Sequence, residues 1–205
     1  MTTPRFATVR CTALRAVCCV AALGFVTVGC GSPGSTSAAD ADGIGETVTI
    51  DHRYGATEAP VKPRRIVSLD KQWTDVLAAL DHAPTAHLAD PNIADGLPWR
   101  DTELREAATL HATTALPFEQ IAATHPDLIV VSYLAESKTA YDKLSKIAPT
   151  IATLGSGTVD TWRAITKAAG KILDDPAAAE ALIEKVSGGI DAVRTELPGL
   201  QGKTM

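Results

Sequence analysis

The sequence predicts an α/β fold in which a mostly parallel sheet is covered by helices on both faces. Residues 127–131, Asp-Leu-Ile-Val-Val, contain the kind of continuous apolar run that a strand buried on both faces requires. Just before them, residues 117–125 repeat their apolar side chains at the spacing of a helix. Short apolar strands that alternate with helices in this way are typical of parallel sheets.

The folded part begins with residues 47–51, which alternate in polarity like a surface strand, and residues 53–60 are predicted to form a turn. Residues 65–69 are predicted to be a short buried strand. A helix follows, because four apolar residues share one of its faces: Trp73, Val76, Leu77 and Leu80. Residues 84–90 form a second predicted strand, which leads into a loop rich in proline, aspartate and glycine.

The second half continues the alternation with a helix over 137–147, a strand over 149–154 and a helix that begins near Asp160. A final long helix is predicted to begin at residues 174–176, Asp-Asp-Pro, because aspartate is a good N-cap and proline suits the first helical position. It runs as far as Pro198, and about 20 residues at 1.5 Å each would make it roughly 30 Å long.

Residues 1–29 have the features of an export signal, with a basic start, an apolar core over 16–28 and no acidic residue. The small residue before Cys30 resembles the end of a bacterial lipoprotein signal, which implies that Cys30 becomes lipid-modified. A plain secretory signal with an incidental cysteine is the alternative. Residues 30–46, rich in glycine, serine and alanine, are predicted to be a flexible tether.

Composition and motifs disfavour several classes of function. Without the signal, 16 basic and 24 acidic residues remain, and a net charge of −8 argues against nucleic acid as a partner. Cys30 is the one cysteine outside the signal, so no internal disulfide can form. A Gly-x-Ser-x-Gly nucleophile turn and a phosphate-binding glycine loop are both missing, which disfavours an enzyme. The five histidines do not follow strand ends as a set, which disfavours a bare metal site.

Aromatic side chains follow the predicted strand ends. Four of them lie shortly after a strand: Trp73, Trp99, Tyr133 and Trp162. Because the carboxyl ends of parallel strands meet at one edge of a sheet, we expect these rings, with the neighbouring Ser132, to form a binding surface for a bulky ligand. For Trp73 and Trp162 the alternative is that each ring packs its own helix against the sheet, since both also fit an apolar helical stripe.

Four segments together resemble one protein family: VTIDHRYGATEAPVKPRRIVSL (48–69), LPFEQIAATHPDLIVVS (116–132), LSKIAPTIAT (144–153) and TWRAITKAAGKIL (161–173). The family is that of the periplasmic binding proteins of the ferric-siderophore, haem and cobalamin type, whose two lobes are joined by one long helix. The resemblance implies an N-terminal substrate-binding lobe over 47–173 and an interlobe helix over 174–198. Residues 199–205 would then begin a second lobe that is truncated where the sequence stops.

This resemblance implies that the protein captures ferric-siderophore complexes outside the cell and delivers them to an ABC permease for iron uptake. It further implies a monomer without a permanently bound cofactor or metal, held at the outer face of the cytoplasmic membrane by the lipid anchor. Haem or cobalamin as the ligand remains an alternative. A lipoprotein that uses this lobe as an interaction module outside transport is another.

The resemblance also implies roles for individual residues, assigned by their position after strand ends. The first lobe's share of the ligand cleft is expected to contain Lys71, Gln72, Trp73, Trp99, Tyr133 and Trp162. Lys71, Arg100 and Lys138 are placed to offset the charge of an anionic iron complex. Glu119 stands where relatives carry an acidic residue that pairs with permease arginines. The alternative is an ordinary carboxylate favoured by the dipole of its helix.

Overall fold

The structure, a computed structural model, describes residues 45–89, 104–112, 115–135 and 137–200. The signal segment, Cys30, most of the tether, Trp99 and Arg100 lie outside the described residues. None of the helices in the described part of the chain is both long and apolar enough to cross a membrane.

The fold begins with a hairpin of two antiparallel strands, β1 (Thr47–His52) and β2 (Gly55–Pro60). Only two residues connect the strands, and Gly55 after them has a φ of +123°, a conformation that glycine adopts without strain. The first strand is confirmed, whereas the prediction of a turn over 53–60 is wrong beyond its first two residues. The second strand contains few strand-forming residues, and it forms because it pairs with β1 along its whole length.

Among the described residues, five parallel strands form the central sheet, and they are β3 (Ile66–Ser68), β4 (Ala86–Leu88), β5 (Ala108–Leu110), β6 (Leu128–Val130) and β7 (Thr150–Ile151). Their order across the sheet is β5-β4-β3-β6-β7, and every neighbouring pair is parallel. The predicted parallel sheet is thus confirmed. The sequence does not predict β5, because this edge strand leaves two of its three residues exposed and carries no buried pattern.

The described helices are α1 (Lys71–Ala79), α2 (Phe118–Ala123), α3 (Lys138–Leu144), α4 (Trp162–Ile172) and α5 (Pro176–Glu196), of which the first three lie between strands and the last two follow β7. Short 3-10 turns follow β6 and α5, at Tyr133–Ala135 and Pro198–Leu200. Each predicted helix is confirmed. The predicted start of α5 is confirmed in detail, since Asp175 Oδ1 accepts the backbone N–H of Ala178 at 2.9 Å.

The helices cover both faces of the sheet with separate apolar cores. On one face, Ile66 and Leu128 pack with residues of α1, α4 and the β1–β2 hairpin. On the other face, Val67 and Ile129 pack with residues of α2 and α3. Successive residues of β3 and β6 therefore enter opposite cores, which is why these strands are continuously apolar.

Helices α4 and α5 approach closely at Gly170, where an added Cβ would lie 2.5 Å from the Cβ of Ala179. Ile183, one turn further along α5, is still buried. The second half of α5 then exposes an apolar stripe whose side chains are 39–52% exposed: Val186, Ile190, Val193 and Leu197. The first half of α5 is therefore part of the core, and the second half leaves apolar surface in contact with solvent.

Candidate functional site

The candidate site is the carboxyl edge of the sheet, defined here as the edge at which Ser68, Val130 and Ile151 end the strands β3, β6 and β7. These three strands are neighbours and parallel, so the loops that follow them leave the sheet side by side. In open parallel sheets this is the edge where ligands bind.

A buried hydrogen-bond network joins the ends of β3 and β6. Ser132, only 1% exposed, donates a hydrogen bond to Asp70 Oδ2. Asp70 Oδ1 accepts the backbone N–H groups of Gln72 at 2.7 Å and Trp73 at 3.2 Å, so the same carboxylate caps α1. The Asp70 side chain is thereby held from both sides, and it fixes the start of α1 against β6.

Hydroxyl groups complete this network behind Asp70. Ser68 Oγ donates to the backbone oxygen of Asp70 at 2.9 Å, and Thr74 Oγ1 lies 2.8 Å from both Ser68 Oγ and that same oxygen. All of these groups are buried. The network is therefore a support for the carboxyl edge, and Ser132 faces Asp70 and not the solvent.

Two of the predicted ligand residues begin the helix that this support caps. Lys71 is exposed, whereas Gln72 is half-buried, and its Oε1 atom is buried without a hydrogen-bond partner among the described residues. On the neighbouring strand end, Tyr133 is 45% exposed. Because β3 and β6 are paired, the structure brings these three residues to adjacent positions on the carboxyl edge.

Trp73 does not lie at the open edge, contrary to the prediction from the sequence. Its side chain is fully buried and belongs to the core between the sheet and α4, where it packs with Ile165 and Ala169. The ring therefore does not contribute to the open edge, and the alternative interpretation, that it packs its helix against the sheet, is the right one. The physical reason is that the ring, in the first turn of α1, belongs to the apolar stripe with which that helix faces the core.

Trp162, by contrast, is half-buried at the first position of α4. The guanidinium carbon of Arg163 lies 4.4 Å from the centroid of its ring, which is the geometry of a cation–π contact. Trp99 lies outside the described residues.

An aromatic cluster of His52, Tyr54 and Tyr141 is not predicted from the sequence. The ring centroids of Tyr54 and Tyr141 are 4.8 Å apart, and those of His52 and Tyr141 are 5.3 Å apart. Lys138 Nζ lies 5.7 Å from the Tyr141 ring centroid and forms a 2.6 Å ion pair with Asp142. The histidine and Tyr141 are 89 residues apart in the sequence, so no local pattern indicates that they meet.

Hydrogen bonds fix the tautomer of His52. Its Nδ1 accepts the backbone N–H of Tyr54 at 3.2 Å, so Nε2 carries the proton and donates to Thr57 Oγ1 at 2.9 Å. The Thr57 hydroxyl donates in turn to the backbone oxygen of Thr150 at 2.8 Å. Burial lowers the pKa of His52, and the nearby carboxylate of Asp51 only partly opposes this effect. The ring is accordingly neutral at pH 7.

The turn of the β1–β2 hairpin lies against the loop that follows β7. The backbone N–H of Arg53 donates to the oxygen of Thr153 at 2.8 Å, and Arg53 Nη2 contacts the backbone oxygens of Ser156 and Gly157. The buried Asp160 carboxylate closes this loop by accepting the backbone N–H groups of Leu154 and Gly155. An open depression of roughly 520 Å³ remains between the two elements, lined by His52, Arg53, Leu154, Gly155 and Ser156.

The structure also places Glu119. Glu119 lies exposed in the first turn of α2.

In the part of the chain that the structure describes, no group of three or more histidine, cysteine or acidic residues could hold a metal ion. The described carboxyl edge thus offers aromatic rings, amide and hydroxyl groups and cationic side chains.

Known proteins resemble this chain in both sequence and fold. A family model described as "Periplasmic binding protein" matches residues 66–205. YhfQ of Bacillus subtilis, a putative ABC transporter substrate-binding lipoprotein, is 34% identical over 144 residues, which are 67% of this chain and 44% of YhfQ. YfiY of the same organism, a probable siderophore-binding lipoprotein, is 32% identical over 52% of this chain and 33% of its own length.

Among solved structures, Staphylococcus aureus SirA complexed with staphyloferrin B matches with a TM-score of 0.65 and 31% identity, over 76% of this chain and 53% of SirA. The chain therefore spans less than half the length of the two curated relatives and about half the length of SirA.

Proposed function

The chain belongs to the periplasmic binding protein family, and we propose from this membership that it captures ferric-siderophore complexes outside the cytoplasmic membrane and delivers them to an ABC permease. Two relatives support the ligand class: YfiY is named a probable siderophore-binding lipoprotein, and SirA was solved with staphyloferrin B. YhfQ, named as a putative ABC transporter substrate-binding lipoprotein, supports the link to a transporter.

The observation that carries this proposal is the arrangement of Gln72 and Tyr133 on adjacent strand ends. Gln72 Oε1 is buried and lacks a hydrogen-bond partner within the described structure, so the side chain must turn outward to accept a hydrogen bond from a ligand. Tyr133 exposes nearly half of its side chain beside it and offers a ring for stacking. Lys71 adds a positive charge at the same place, which suits an anionic iron complex. Trp162 and Trp99 complete the proposed set of ligand residues.

A rigid surface suits this role, because binding then costs little ordering of side chains and loops. The contact between Ser132 and Asp70 holds the ends of β3 and β6 together beneath Gln72 and Tyr133. The part of the proposed ligand surface that Gln72 and Tyr133 form therefore rests on buried hydrogen bonds.

We also propose that α5 is the interlobe helix and that a second lobe completes the ligand cleft. The exposed apolar stripe on the second half of α5 supports this proposal, because such a stripe in a soluble protein usually packs against another element. A lobe seated there would bury side chains of this stripe, such as Val193 and Leu197.

Two further roles complete the proposed transport function. Cys30 would carry the lipid that anchors the protein at the outer face of the membrane, in keeping with the two relatives named as lipoproteins. Glu119 would pair with a cationic group of the permease, and its exposure in the first turn of α2 leaves the carboxylate accessible for this contact.

Intrinsic tryptophan fluorescence of the full-length protein tests the ligand class. We expect ferric siderophores to quench the emission with a saturable curve, while haem and cobalamin do so weakly or not at all. Saturable quenching by haem or cobalamin and by no ferric siderophore would replace the proposed ligand, and no response to any of them would contradict the function.

The site itself is tested with Tyr133→Ala. Loss of a stacking ring is expected to weaken binding of the ferric siderophore by about tenfold. His82→Ala is the matched control, because His82 is also an exposed ring but lies before β4, at the opposite edge of the sheet. Equal affinities for the two variants would remove Tyr133 from the site.

A further inference from the structure

We propose that the turn of the β1–β2 hairpin forms a subsite for an anionic oxygen group of the ligand, either a carboxylate or a catecholate arm of a ferric chelate. The subsite consists of His52 and Arg53 with the facing loop over 154–157. The inference rests on the proposed function and names the ligand chemistry at one part of the same edge. The hairpin precedes the region matched by the family model, which begins at residue 66.

The hairpin turn is held at the carboxyl edge of the sheet. The Thr57 hydroxyl donates to the oxygen of Thr150 within β7, and the N–H of Arg53 donates to the oxygen of Thr153 just after that strand. Both bonds are 2.8 Å long, and they join two elements that are about 100 residues apart. The turn is therefore placed beside the strand ends that carry the proposed ligand residues, and it is anchored through the backbone.

Arg53 supplies the charge of this subsite. Its exposed guanidinium is oriented by the backbone oxygens of Ser156 and Gly157, which are uncharged. Within the described residues Arg53 forms no salt bridge, whereas Lys138 is paired with Asp142. Its positive charge is therefore not neutralised by a carboxylate. The planar fork of a guanidinium fits a pair of oxygens on a carboxylate or a catecholate.

The described acidic groups near Arg53 form no ion pair with its guanidinium. The carboxylate of Asp160 is buried and accepts the N–H groups of Leu154 and Gly155 at 2.9 and 3.0 Å. Asp51 precedes the buried His52 on β1, and successive side chains of a strand point to opposite sides. None of these carboxylates of the described residues pairs with Arg53, which leaves its guanidinium open to an anionic group of a ligand.

Apolar groups lie at and behind the lining of the subsite. The half-buried Leu154 lines the depression, and the lining residue His52 contacts Tyr141, whose ring centroid lies 4.8 Å from that of Tyr54. A volume of roughly 520 Å³ falls within the range of about 300–1,000 Å³ that small-molecule sites occupy. A cation beside aromatic rings suits an oxygen-rich planar group better than an uncharged aliphatic chain.

The test measures affinities of the full-length protein for three chelates: a ferric α-hydroxycarboxylate, a ferric tris-catecholate and an uncharged ferric tris-hydroxamate. The variant Arg53→Gln removes the charge, and Arg64→Gln is the matched control, because Arg64 is an exposed arginine just before β3, at the amino edge. We expect Arg53→Gln to weaken an anionic chelate by about tenfold or more and the hydroxamate by less than about twofold. Whichever anionic chelate loses affinity identifies the group that Arg53 binds.

Each other outcome overturns the subsite. Equal weakening of all three chelates would show that Arg53 only shapes the loop over 154–157. Unchanged affinities, or binding of the hydroxamate alone by the wild type, would remove the anionic subsite while the proposed function stands. A wild type that binds none of the three chelates would overturn both the subsite and the proposed function.

Discussion

Ser132 donates a hydrogen bond to the buried carboxylate of Asp70, and this contact joins the ends of two neighbouring parallel strands. It explains why the apolar run of β6 is followed by a hydroxyl group. The carboxylate also caps α1, so one serine side chain supports a strand end and a helix start together. The residues that we propose to touch the ligand, Gln72 and Tyr133, each lie next to or near this contact in the sequence.

Replacing Ser132 with alanine should destabilise the protein. The change leaves one oxygen of a buried carboxylate without its donor, which is expected to lower the free energy of unfolding by about 1–3 kcal/mol. Urea denaturation measures this change. Ser145→Ala is the control, because Ser145 is exposed at the end of α3. If both variants unfold at the same urea concentration as the wild type, the hydrogen bond does not support the edge.

The stability of the protein should depend on pH through His52. Burial lowers the pKa of His52 in the folded state, so between this pKa and the ordinary value of about 6.5 the unfolded chain binds more protons. The contribution of the neutral ring is therefore present above about pH 6.5 and is lost as the pH falls toward the folded-state pKa. Protonation would also break the bond from the Tyr54 N–H to Nδ1.

The free energy of unfolding, measured between about pH 5 and 8, checks this dependence. In His52→Gln the slope below pH 6.5 should become smaller, whereas in His82→Gln, which alters an exposed histidine, it should match the wild type. A wild-type slope that persists in the His52 variant would assign the effect to another group.

Gly170→Ala should destabilise the contact between α4 and α5. The new Cβ would lie 2.5 Å from the Cβ of Ala179 and 3.2 Å from the backbone oxygen of Asp175, so the helices must separate. Overpacking of this kind costs about 1–3 kcal/mol, which thermal or urea unfolding can measure.

Gly188→Ala provides the matched control for this change. An added Cβ at Gly188, inside α5, meets no atom within 4 Å. Alanine is the better helix former, so this variant should gain about 0.5–1 kcal/mol. We therefore expect Gly170→Ala to lower the free energy of unfolding and Gly188→Ala to raise it. A loss of stability in both variants would mean that α5 cannot accept a side chain at Gly188.

Glu119→Arg should separate binding from transport. If Glu119 pairs with a cation of the permease, charge reversal is expected to lower the uptake of the ferric siderophore by about tenfold while leaving its affinity unchanged. Glu106→Arg is the control, since Glu106 is an exposed acidic residue of the turn before β5. Normal uptake by the Glu119 variant would leave this carboxylate with its simpler role at the start of α2.

Local patterns were enough to predict most of the elements. The apolar runs of β3 and β6 follow from burial on both faces, and the helices follow from their apolar spacing and their caps, as at Asp175. These signals are local, because the periodicity and the capping of a segment depend on residues within a few positions of each other. The carboxyl edge as the place of the site also follows, since it depends only on strand direction.

The sequence by itself therefore determined the alternation of strands and helices, the parallel sheet and the edge at which we propose that a ligand binds. Only the tertiary structure decided which side chains stand at that edge. Trp73 turns into the core, Ser132 turns toward a carboxylate 62 residues away, and His52 meets a tyrosine 89 residues away. The physical reason is that the direction and the partners of a side chain depend on packing between distant segments, and local periodicity does not indicate those contacts.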